Sequence, residues 1–364
     1  MFLPYALASD PHYHSWSAFA EVNPDGVNTR LQGIIDATRE AKEKLVAMGG
    51  NTLILAGDLF HKRGSVEPSV LNPVMDLYRQ FKEEGINVYA IPGNHDLEKN
   101  ESHRLSNAST ALESVGVIVA HGPTVIDYAD NHWIVLFPWY SKTADLIAEM
   151  KRVHGEVLAR RKSKKQKIHV DAIVHTPIDG VLAHLDGHGL KGSELEDTGF
   201  DRVFAGHYHN HKLVHESEKT KVYSVGALTH QNWGDIGSKA GFMIVGGQTT
   251  EEHFGTSQPK FVELTGEETD AEAAALCKGN YVRVRVEVSS DAELAEIREG
   301  VQKLEAKGVI VLSQRKTVVV RTGATPAKGS ASIEASVKTY LDKKSASPAA
   351  HAMALDILSQ ARAA

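Results

Sequence analysis

The chain has a single cysteine, Cys277, among its 364 residues. One thiol cannot build a disulfide framework, and it cannot supply a thiolate metal cluster. Histidine, by contrast, occurs 19 times. If this protein binds a metal ion, we therefore expect imidazole and carboxylate ligands.

Long apolar runs and an excess of positive charge are also missing. The longest apolar run, Trp133–Trp139, contains Pro138 and is much shorter than the ~18–20 residues that span a bilayer. The stretch Met1–Ala8 has no basic residue and predicts no secretory signal. The formal net charge of -6 argues against a basic nucleic-acid coat protein, although it permits a local basic groove. We therefore expect a cytoplasmic protein without a membrane segment.

Residues 1–250 alternate between short apolar runs and helical patterns. In residues 31–45 and 71–81, apolar side chains recur at helical spacing, and the two patterns end at Gly49 and Gly85. In a chain that is 42% hydrophobic and long enough for two domains, this alternation predicts an α/β fold with helices over buried sheets. The apolar runs that predict strands are Leu3–Ala8, Thr52–Ala56, Val88–Ile91, Val117–Ala120, Trp133–Phe137, Ala172–Val174, Val203–Ala205, Val222–Val225 and Phe242–Val245.

The pattern changes beyond residues 249–279, which we interpret as a break between domains. Val282–Val288 alternates strictly between valine and charged residues, which predicts a half-buried strand. Leu294–Leu304 carries one apolar helical stripe, and Val309–Leu312 and Thr317–Arg321 predict two further strands. This β-α-β-β pattern predicts a small second domain.

Five short polar clusters follow predicted strands of the first 250 residues. In an α/β sheet, ligands bind in the crevice outside the carboxyl ends of the strands, so we expect these clusters to converge. The clusters are Asp10-Pro11-His12, Gly57-Asp58-Leu59-Phe60-His61, Gly93-Asn94-His95-Asp96, His175 and Gly206-His207-Tyr208-His209.

The clusters supply a mixed set of oxygen and imidazole donors. The set is larger than a single tetrahedral zinc site uses, which favours two metal ions that share a bridging carboxylate. Such two-metal sites stabilise both the attacking and the leaving oxygen of a phosphoryl displacement, which indicates a phosphodiester substrate. This ligand chemistry suits manganese, iron or zinc. The candidate ligands are Asp10, His12, Asp58, Asn94, His175, His207 and His209.

Each cluster alone has a simpler explanation. Asp10 and His12, two residues apart, are typical of a turn, and a glycine before Asp58 is ordinary turn chemistry after a strand. A lone His175 is more often a hydrogen-bonded loop histidine than a ligand. It is the order of five clusters at five strand ends that favours a shared metal site.

The ordered clusters resemble the calcineurin-like metallophosphoesterase superfamily. Residues 57–61 and 91–96 look like the SbcD-type nucleases, the nuclease subunits of bacterial and phage SbcCD complexes for DNA repair and recombination. The resemblance implies a layered β-sandwich core flanked by helices over residues 1–250. It also implies a DNA-capping domain over residues 278–323 and a helical tail over residues 330–364.

The resemblance also assigns the candidate ligands to two divalent ions. It implies that Asp58 bridges both ions and that Mn2+ is the working metal, with Mg2+, Fe2+ and Zn2+ as the alternatives. The first ion would be held by Asp10, His12, Asp58 and His209. The second would be held by Asp58, Asn94, His175 and His207.

Three more residues receive catalytic roles from the resemblance. His95 would contact the scissile phosphate and act as general acid on the leaving 3′ oxygen, with Asp96 orienting its other ring nitrogen. His61 would sit beside the substrate phosphate. The sequence departs from the family at Tyr13-His14-Ser15-Trp16, where Leu-Gly often follows the first motif.

The function that the resemblance implies is a nuclease that works with an ATPase. It would be a 3′→5′ exonuclease on double-stranded DNA and an endonuclease on single strands, in the host cytoplasm if phage-encoded. The tail stretches 333–341 and 349–361 would dock an SbcC-type coiled-coil ATPase, and we expect a homodimer. Two alternatives remain: a phosphoesterase for a small phosphodiester, nucleotide or phosphoprotein, and a non-enzymatic binder of DNA ends.

DNA contacts are predicted from basic residues near the clusters. Residues 151–167 are strongly basic, although a solvated helix face is the simpler interpretation of that stretch taken alone. Beside a phosphodiesterase site, such residues are candidates for tracking the phosphate backbone. The candidate DNA contacts are Lys62, Arg63, Arg104, Arg161, Lys164 and Lys165.

Overall fold

The computed structural model describes residues 3–99, 104–129, 132–161, 168–182, 187–246, 250–315 and 333–363. The chain divides into two compact units between Arg315 and Lys316. Among the described residues, the first unit contains three sheets and six α-helices, and the second unit contains two α-helices.

The strands among the described residues all belong to the first unit. In chain order they are β1 (Tyr5–Ala8), β2 (Thr52–Ala56), β3 (Asn87–Ile91), β4 (Ile118–Val119), β5 (Thr124–Ala129), β6 (His132–Phe137), β7 (His169–His175), β8 (Arg202–Gly206), β9 (Lys212–Glu216), β10 (Lys221–Ser224), β11 (Phe242–Gly246), β12 (Thr250–Phe254), β13 (Phe261–Leu264), β14 (Tyr281–Val288) and β15 (Gly308–Arg315).

The helices connect these strands and form the second unit. They are α1 (Thr29–Ala47), α2 (Pro68–Glu83), α3 (Thr143–Arg161), α4 (Gly192–Glu196), α5 (Asp270–Cys277), α6 (Asp291–Lys303), α7 (Ile333–Lys343) and α8 (Pro348–Ala363). Short 3-10 helices lie at Arg104–Ser106, Ala108–Val115 and Trp233–Asp235.

Two six-stranded sheets stack face to face. The first has the order β12-β11-β1-β2-β3-β4 and the second the order β5-β6-β7-β8-β10-β9. Leu7 and Ile54 of the first sheet belong to the same buried cluster as Ile173 and Phe204 of the second. Helices α1 and α2 cover the outer face of the first sheet, and α3 covers that of the second. The predicted layered α/β sandwich is confirmed.

Helix α1 shows how local sequence starts and ends these elements. The Asn28 side chain accepts hydrogen bonds from the backbone N–H groups of Arg30 and Leu31, which satisfies two donors of the first turn. The helix ends before Gly49, which adopts a left-handed φ of 83°. The helices predicted over residues 31–45 and 71–81 are both confirmed, as α1 and α2.

The third sheet begins earlier in the chain than the β-α-β-β pattern predicted. Its strand order is β13-β14-β15, all parallel, with α5 and α6 as the connections. Strands β14 and β15 and helix α6 match the predicted elements, whereas β13 and α5 lie in the stretch interpreted as a break. The predicted strand Thr317–Arg321 lies outside the described residues. We call residues 261–315 the αβ unit.

Helices α7 and α8 lie in the second compact unit and match the two helical stretches predicted for the tail. Apolar side chains on them are exposed, among them Tyr340 at 61% and Met353 at 68%. None of the described helices combines the length and the apolar character that a bilayer span requires.

A buried ion network stabilises the second sheet near the amino ends of β7 and β8. The Asp171 carboxylate accepts hydrogen bonds from the Tyr5 hydroxyl at 2.8 Å, from Arg202 Nε at 2.7 Å and from His132 Nε2 at 2.5 Å. Burial alone would raise the pKa of Asp171, but the charge of Arg202 and the histidine hydrogen bonds outweigh burial and hold that pKa well below its usual value. The network therefore stabilises the fold above about pH 4 and loses this contribution as the pH falls further.

Replacing Arg202 by methionine should leave the Asp171 carboxylate buried without its guanidinium partner. We expect the free energy of unfolding to fall by about 3–5 kcal/mol at pH 7, measured by urea denaturation. Arg152→Met is the matched control because Arg152 pairs with Glu149 at 2.7 Å with 52% of its side chain exposed, so its effect should stay below about 1 kcal/mol. Equal losses in the two variants would contradict the role of the network.

The two sheets approach each other closely where β2 and β7 end. Gly57 follows β2 with a φ of 97°, and a Cβ atom placed on it would lie 2.1 Å from His175 Nδ1. That ring nitrogen donates a hydrogen bond to the carbonyl of Ala56 at 2.8 Å. Only glycine leaves room for the His175 ring, and only glycine adopts this left-handed conformation without strain.

A comparison of two glycines separates backbone strain from close approach. Gly26 has a φ of 80° but no heavy atom within 4 Å of the position of an added Cβ. Both Gly57→Ala and Gly26→Ala should therefore carry the left-handed strain, and only Gly57→Ala should also overpack against His175. We expect its free energy of unfolding to fall by a further ~1–3 kcal/mol in urea denaturation. Indistinguishable losses would show that the close approach is not limiting.

Candidate metal centre

The carboxyl ends of strands from both sheets meet at one site. The loops after β1, β2 and β3 of the first sheet face those after β7 and β8 of the second. All seven candidate ligands lie here, and most are buried: Asp10 at 0%, His12 at 3%, Asp58 at 2%, Asn94 at 8% and His175 at 0% exposure, with His207 and His209 half-buried.

The candidate ligands form two clusters with one carboxylate between them. In one cluster, donor atoms of Asp10, His12 and His209 lie within 4.8 Å of one another. In the other, donor atoms of Asp58, His175 and His207 do the same. Asp58 Oδ2 lies 3.4 Å from His175 Nε2 and 3.6 Å from His12 Nε2. This geometry fits a bridging role for Asp58.

Asn94 belongs to the second cluster. Its side-chain oxygen lies 3.2 Å from His175 Nε2 and 3.1 Å from His207 Nδ1. The amide oxygen therefore points into the same space as the imidazole nitrogens, as a neutral ligand would.

Four of the candidate ligands have a positive backbone φ. The φ angles are 49° at Asp10, 46° at His12, 51° at Asp58 and 107° at His207. Each costs roughly 1–2 kcal/mol for a residue other than glycine. Backbone hydrogen bonds from Asp10 N to Gly57 O at 3.1 Å and from His12 N to Asp58 O at 3.0 Å hold these turns. Strain of this kind persists where the surrounding structure fixes the side chains for a task.

The charge states suit metal binding. Burial lowers the pKa of His207 to about 3 and the pKa of His12 well below its usual value, so both rings are neutral. Burial would raise the pKa of Asp58, but the neighbouring His175 holds it well below the usual range. Asp58 in turn outweighs burial at His175 and raises the pKa of that ring to about 9. The site therefore combines ionised carboxylate with a strong preference for a positive charge beside it.

The surroundings of one Asp10 carboxylate oxygen indicate whether a cation fits this site. Asp10 Oδ2 accepts hydrogen bonds from the Ser9 hydroxyl at 2.5 Å and from His207 N at 3.0 Å. Asp10 Oδ1 is buried and has no hydrogen-bond partner among the described residues. A buried carboxylate oxygen left unpaired is costly, and a cation among these donors removes that cost. The residues present therefore fit divalent metal ions.

Asp235 orients one of the ligands, although no motif drew attention to it. His209 Nδ1 donates a hydrogen bond to Asp235 Oδ1 at 2.7 Å, which leaves His209 Nε2 for the cluster with Asp10. Carboxylates hold metal-binding histidines in this way in many proteins. The only sequence signal is the spacing of Asn232 and Asp235, which cap the short helix Trp233–Asp235.

His95 lies beside the Asp58 carboxylate, but Asp96 does not orient it as the resemblance implies. The His95 backbone N–H donates to Asp58 Oδ1 at 2.7 Å, and His95 Nδ1 donates to the carbonyl oxygen of His61 at 2.6 Å. The Asp96 carboxylate instead accepts hydrogen bonds from the backbone N–H groups of Leu59, Phe60 and Gly93. The Asp96 carboxylate turns toward these loops because three backbone N–H donors face it. Its hydrogen bonds connect the cluster at residues 57–61 with the cluster at residues 93–96.

His61 lies next to the centre, in an aromatic group. Its Nδ1 is 3.2 Å from His12 Nδ1, and its ring centroid is 4.4 Å from that of Trp16 and 5.5 Å from that of His95. Burial lowers the pKa of His61 to about 4. His14, from the departure in the first motif, contacts the same group, with its ring 5.1 Å from that of His61.

The candidate DNA contacts are only partly described. Lys62 pairs with Glu67 at 2.5 Å, and Arg104 pairs with Glu113 at 2.6 Å. Arg63 is exposed. The side chain of Arg161 lies outside the described residues, as do Lys164 and Lys165.

Comparison with known proteins gives relatives that are named as an exonuclease subunit or as DNA double-strand break repair proteins. The chain is 28% identical over 230 residues to "Exonuclease subunit 1" of Enterobacteria phage T4, which covers 62% of this chain and 61% of the relative. It is 32% identical over 89 residues to "DNA double-strand break repair protein Mre11" of Archaeoglobus fulgidus, covering 24% of this chain and 19% of the relative. The protein of the same name from Methanocaldococcus jannaschii is 25% identical over 166 residues, covering 44% and 43%.

These alignments each span less than two thirds of the relative. In the family comparison, residues 3–211, more than half of this chain, match the model described as calcineurin-like phosphoesterase. The matched residues include every candidate metal ligand, and the predicted enzyme class, a hydrolase of phosphate esters, is confirmed. On this match, the chain belongs to the calcineurin-like phosphoesterase family.

Proposed function

We propose that this chain is a metal-dependent DNA nuclease. It acts as a 3′→5′ exonuclease on double-stranded DNA and as an endonuclease on single strands. The observation that carries the proposal is the pair of histidine–carboxylate clusters with Asp58 between them and His95 alongside. The similarity to a phage exonuclease subunit supports DNA as the substrate.

The proposed centre holds two divalent ions, with Mn2+ as the working metal. Asp10, His12 and His209 would hold one ion, and Asn94, His175 and His207 the other, with Asp58 shared. When bound, the ions supply stabilisation of the negative charge that develops on the attacking and leaving oxygens. The mixture of oxygen and imidazole donors suits manganese, iron or zinc, and the choice of Mn2+ rests on the resemblance to SbcD-type nucleases.

His95 is the proposed general acid. Because the His61 carbonyl accepts the hydrogen on His95 Nδ1, the ring is fixed and Nε2 is the nitrogen that can give a proton to the leaving 3′ oxygen. The hydrogen bond from the His95 backbone to Asp58 keeps this ring beside the bridging carboxylate. His61 contributes through both its carbonyl and its ring, which lies against His12.

The αβ unit and helices α7 and α8 belong to the same proposal. We propose that the αβ unit is the DNA-capping domain and that α7 and α8 dock an SbcC-type coiled-coil ATPase. The exposed apolar side chains Tyr340, Met353 and Ile357 support a docking role. A homodimer in the cytoplasm, or in the host cytoplasm if phage-encoded, completes the proposed complex.

Two variants separate metal binding from proton transfer. His95→Ala should retain both Mn2+ ions yet cleave DNA about 10²–10⁴-fold more slowly, because only the general acid is lost. Asp58→Ala should lose metal as well as activity, because the bridging ligand is gone. Metal analysis and cleavage assays are run beside wild type and the exposed control His188→Ala, which should match wild type. Equal metal loss in His95→Ala and Asp58→Ala would contradict the division of roles.

A comparison of substrates tests DNA as the target. With Mn2+, the full chain should shorten 5′-labelled duplex DNA into a ladder and should release a 3′ label early, with or without a co-expressed ATPase. EDTA should abolish the cleavage, and added Mn2+ should restore it. Hydrolysis of bis(p-nitrophenyl) phosphate without any DNA cleavage would favour a small-substrate phosphoesterase. Cleavage of neither substrate would favour a non-enzymatic DNA binder.

A further inference from the structure

Gln231 connects three parts of the molecule through its main chain and side chain. The residue is almost fully buried, with 2% exposure. Its Nε2 donates a hydrogen bond to the carbonyl oxygen of Asp10 at 2.9 Å, and its backbone N–H donates to Asp235 Oδ2 at 2.7 Å. Its own carbonyl accepts a hydrogen bond from Arg30 Nη2 at 2.6 Å.

The contact with Asp10 fixes a strained ligand. Asp10 has a left-handed φ of 49°, and rotation of its peptide groups would swing the carboxylate out of the cluster. The backbone N–H of Asp10 is held by Gly57 O, whereas its carbonyl is held by the Gln231 side chain. The position of the Asp10 carbonyl therefore depends on a side chain that a substitution can remove.

The contact with Asp235 supports a second ligand of the same cluster. Asp235 Oδ2 accepts the backbone N–H groups of Gln231 and Asn232, so Oδ1 remains directed at His209 Nδ1. Gln231 thus supports both Asp10 and His209. In the other cluster, the ring of His175 is oriented by the carbonyl of Ala56, at 2.8 Å.

Arg30 extends these contacts to the αβ unit. Its guanidinium carbon lies 4.9 Å from the ring centroid of Phe261 and 5.4 Å from that of Tyr281, both in the αβ unit. Arg30 is 8% exposed, and its guanidinium donates hydrogen bonds to the backbone carbonyls of His230 and Gln231. Aromatic faces and backbone carbonyls therefore hold its charge. The backbone of Phe261 also donates to His230 Nδ1 at 3.2 Å, next to Gln231 in the chain.

We propose that Gln231 is a positioning residue for the metal ion of the Asp10–His12–His209 cluster. In this proposal, Arg30 connects Gln231 to the αβ unit. The effect is selective, because the Asp58–His175–His207 cluster is oriented by other groups. The inference rests on the proposed metal centre and not on DNA as the substrate.

Gln231→Met tests the proposal because methionine keeps the size of the side chain and removes the donor to Asp10. Mn2+ is titrated calorimetrically into the metal-free full chain. We expect one of the two Mn2+ ions to bind about tenfold more weakly and the other to bind as in wild type. Hydrolysis of bis(p-nitrophenyl) phosphate should then need more Mn2+ for half-maximal rate, with an unchanged KM for the ester. Gln258→Met, at a half-buried glutamine that bonds to Glu40, is the matched control and should bind both ions normally.

Arg30→Met serves as the second variant, since methionine keeps an unbranched side chain and has no donor for the Gln231 carbonyl. A loss of affinity for the same Mn2+ ion, smaller than the loss expected for Gln231→Met, would support the proposal even if Gln231→Met fails to fold. Wild-type Mn2+ binding in whichever of the two variants folds would overturn it while leaving the metal centre intact. A wild-type chain that binds no Mn2+ would overturn the proposed centre and this role together.

Discussion

The close approach of Gly57 to the ring of His175 joins the two sheets at the end where the candidate ligands lie. Because a glycine occupies this point, β2 and β7 can end against each other, and the next residue, Asp58, turns between the two clusters. A wider separation would leave Asp58 in contact with only one set of histidines. The position of Asp58 between the two clusters therefore depends on how the two sheets pack against each other.

Much of the fold and the centre could be predicted because the signals are local. Apolar periodicity predicted α1 and α2, and the candidate ligands stand directly after apolar runs. Strand β13 and helix α5 were missed because four residues followed by an acidic segment resemble a linker. Asp235 and Gln231 were missed for another reason: their contacts with His209 and Asp10 join residues that are distant in sequence and carry no motif.

The error over Asp96 has the same physical origin. Adjacency in the chain suggested that it orients His95, yet a buried carboxylate is drawn to whichever donors face it, and here those are three backbone N–H groups. The orienting group is the carbonyl of His61, which no side-chain pattern can indicate. Backbone groups also orient His175, so main-chain geometry fixes much of this centre.

Each of the two clusters combines residues from both sheets, and this has a consequence for the sandwich interior. Leu7 and Ile54 on one sheet and Ile173 and Phe204 on the other fill the space between them. The volume of these side chains therefore sets the distance between the two sheets and, with it, the spacing of the candidate ligands. A change in the volume of these core side chains would therefore alter the distances between the candidate ligands as well as the stability of the fold.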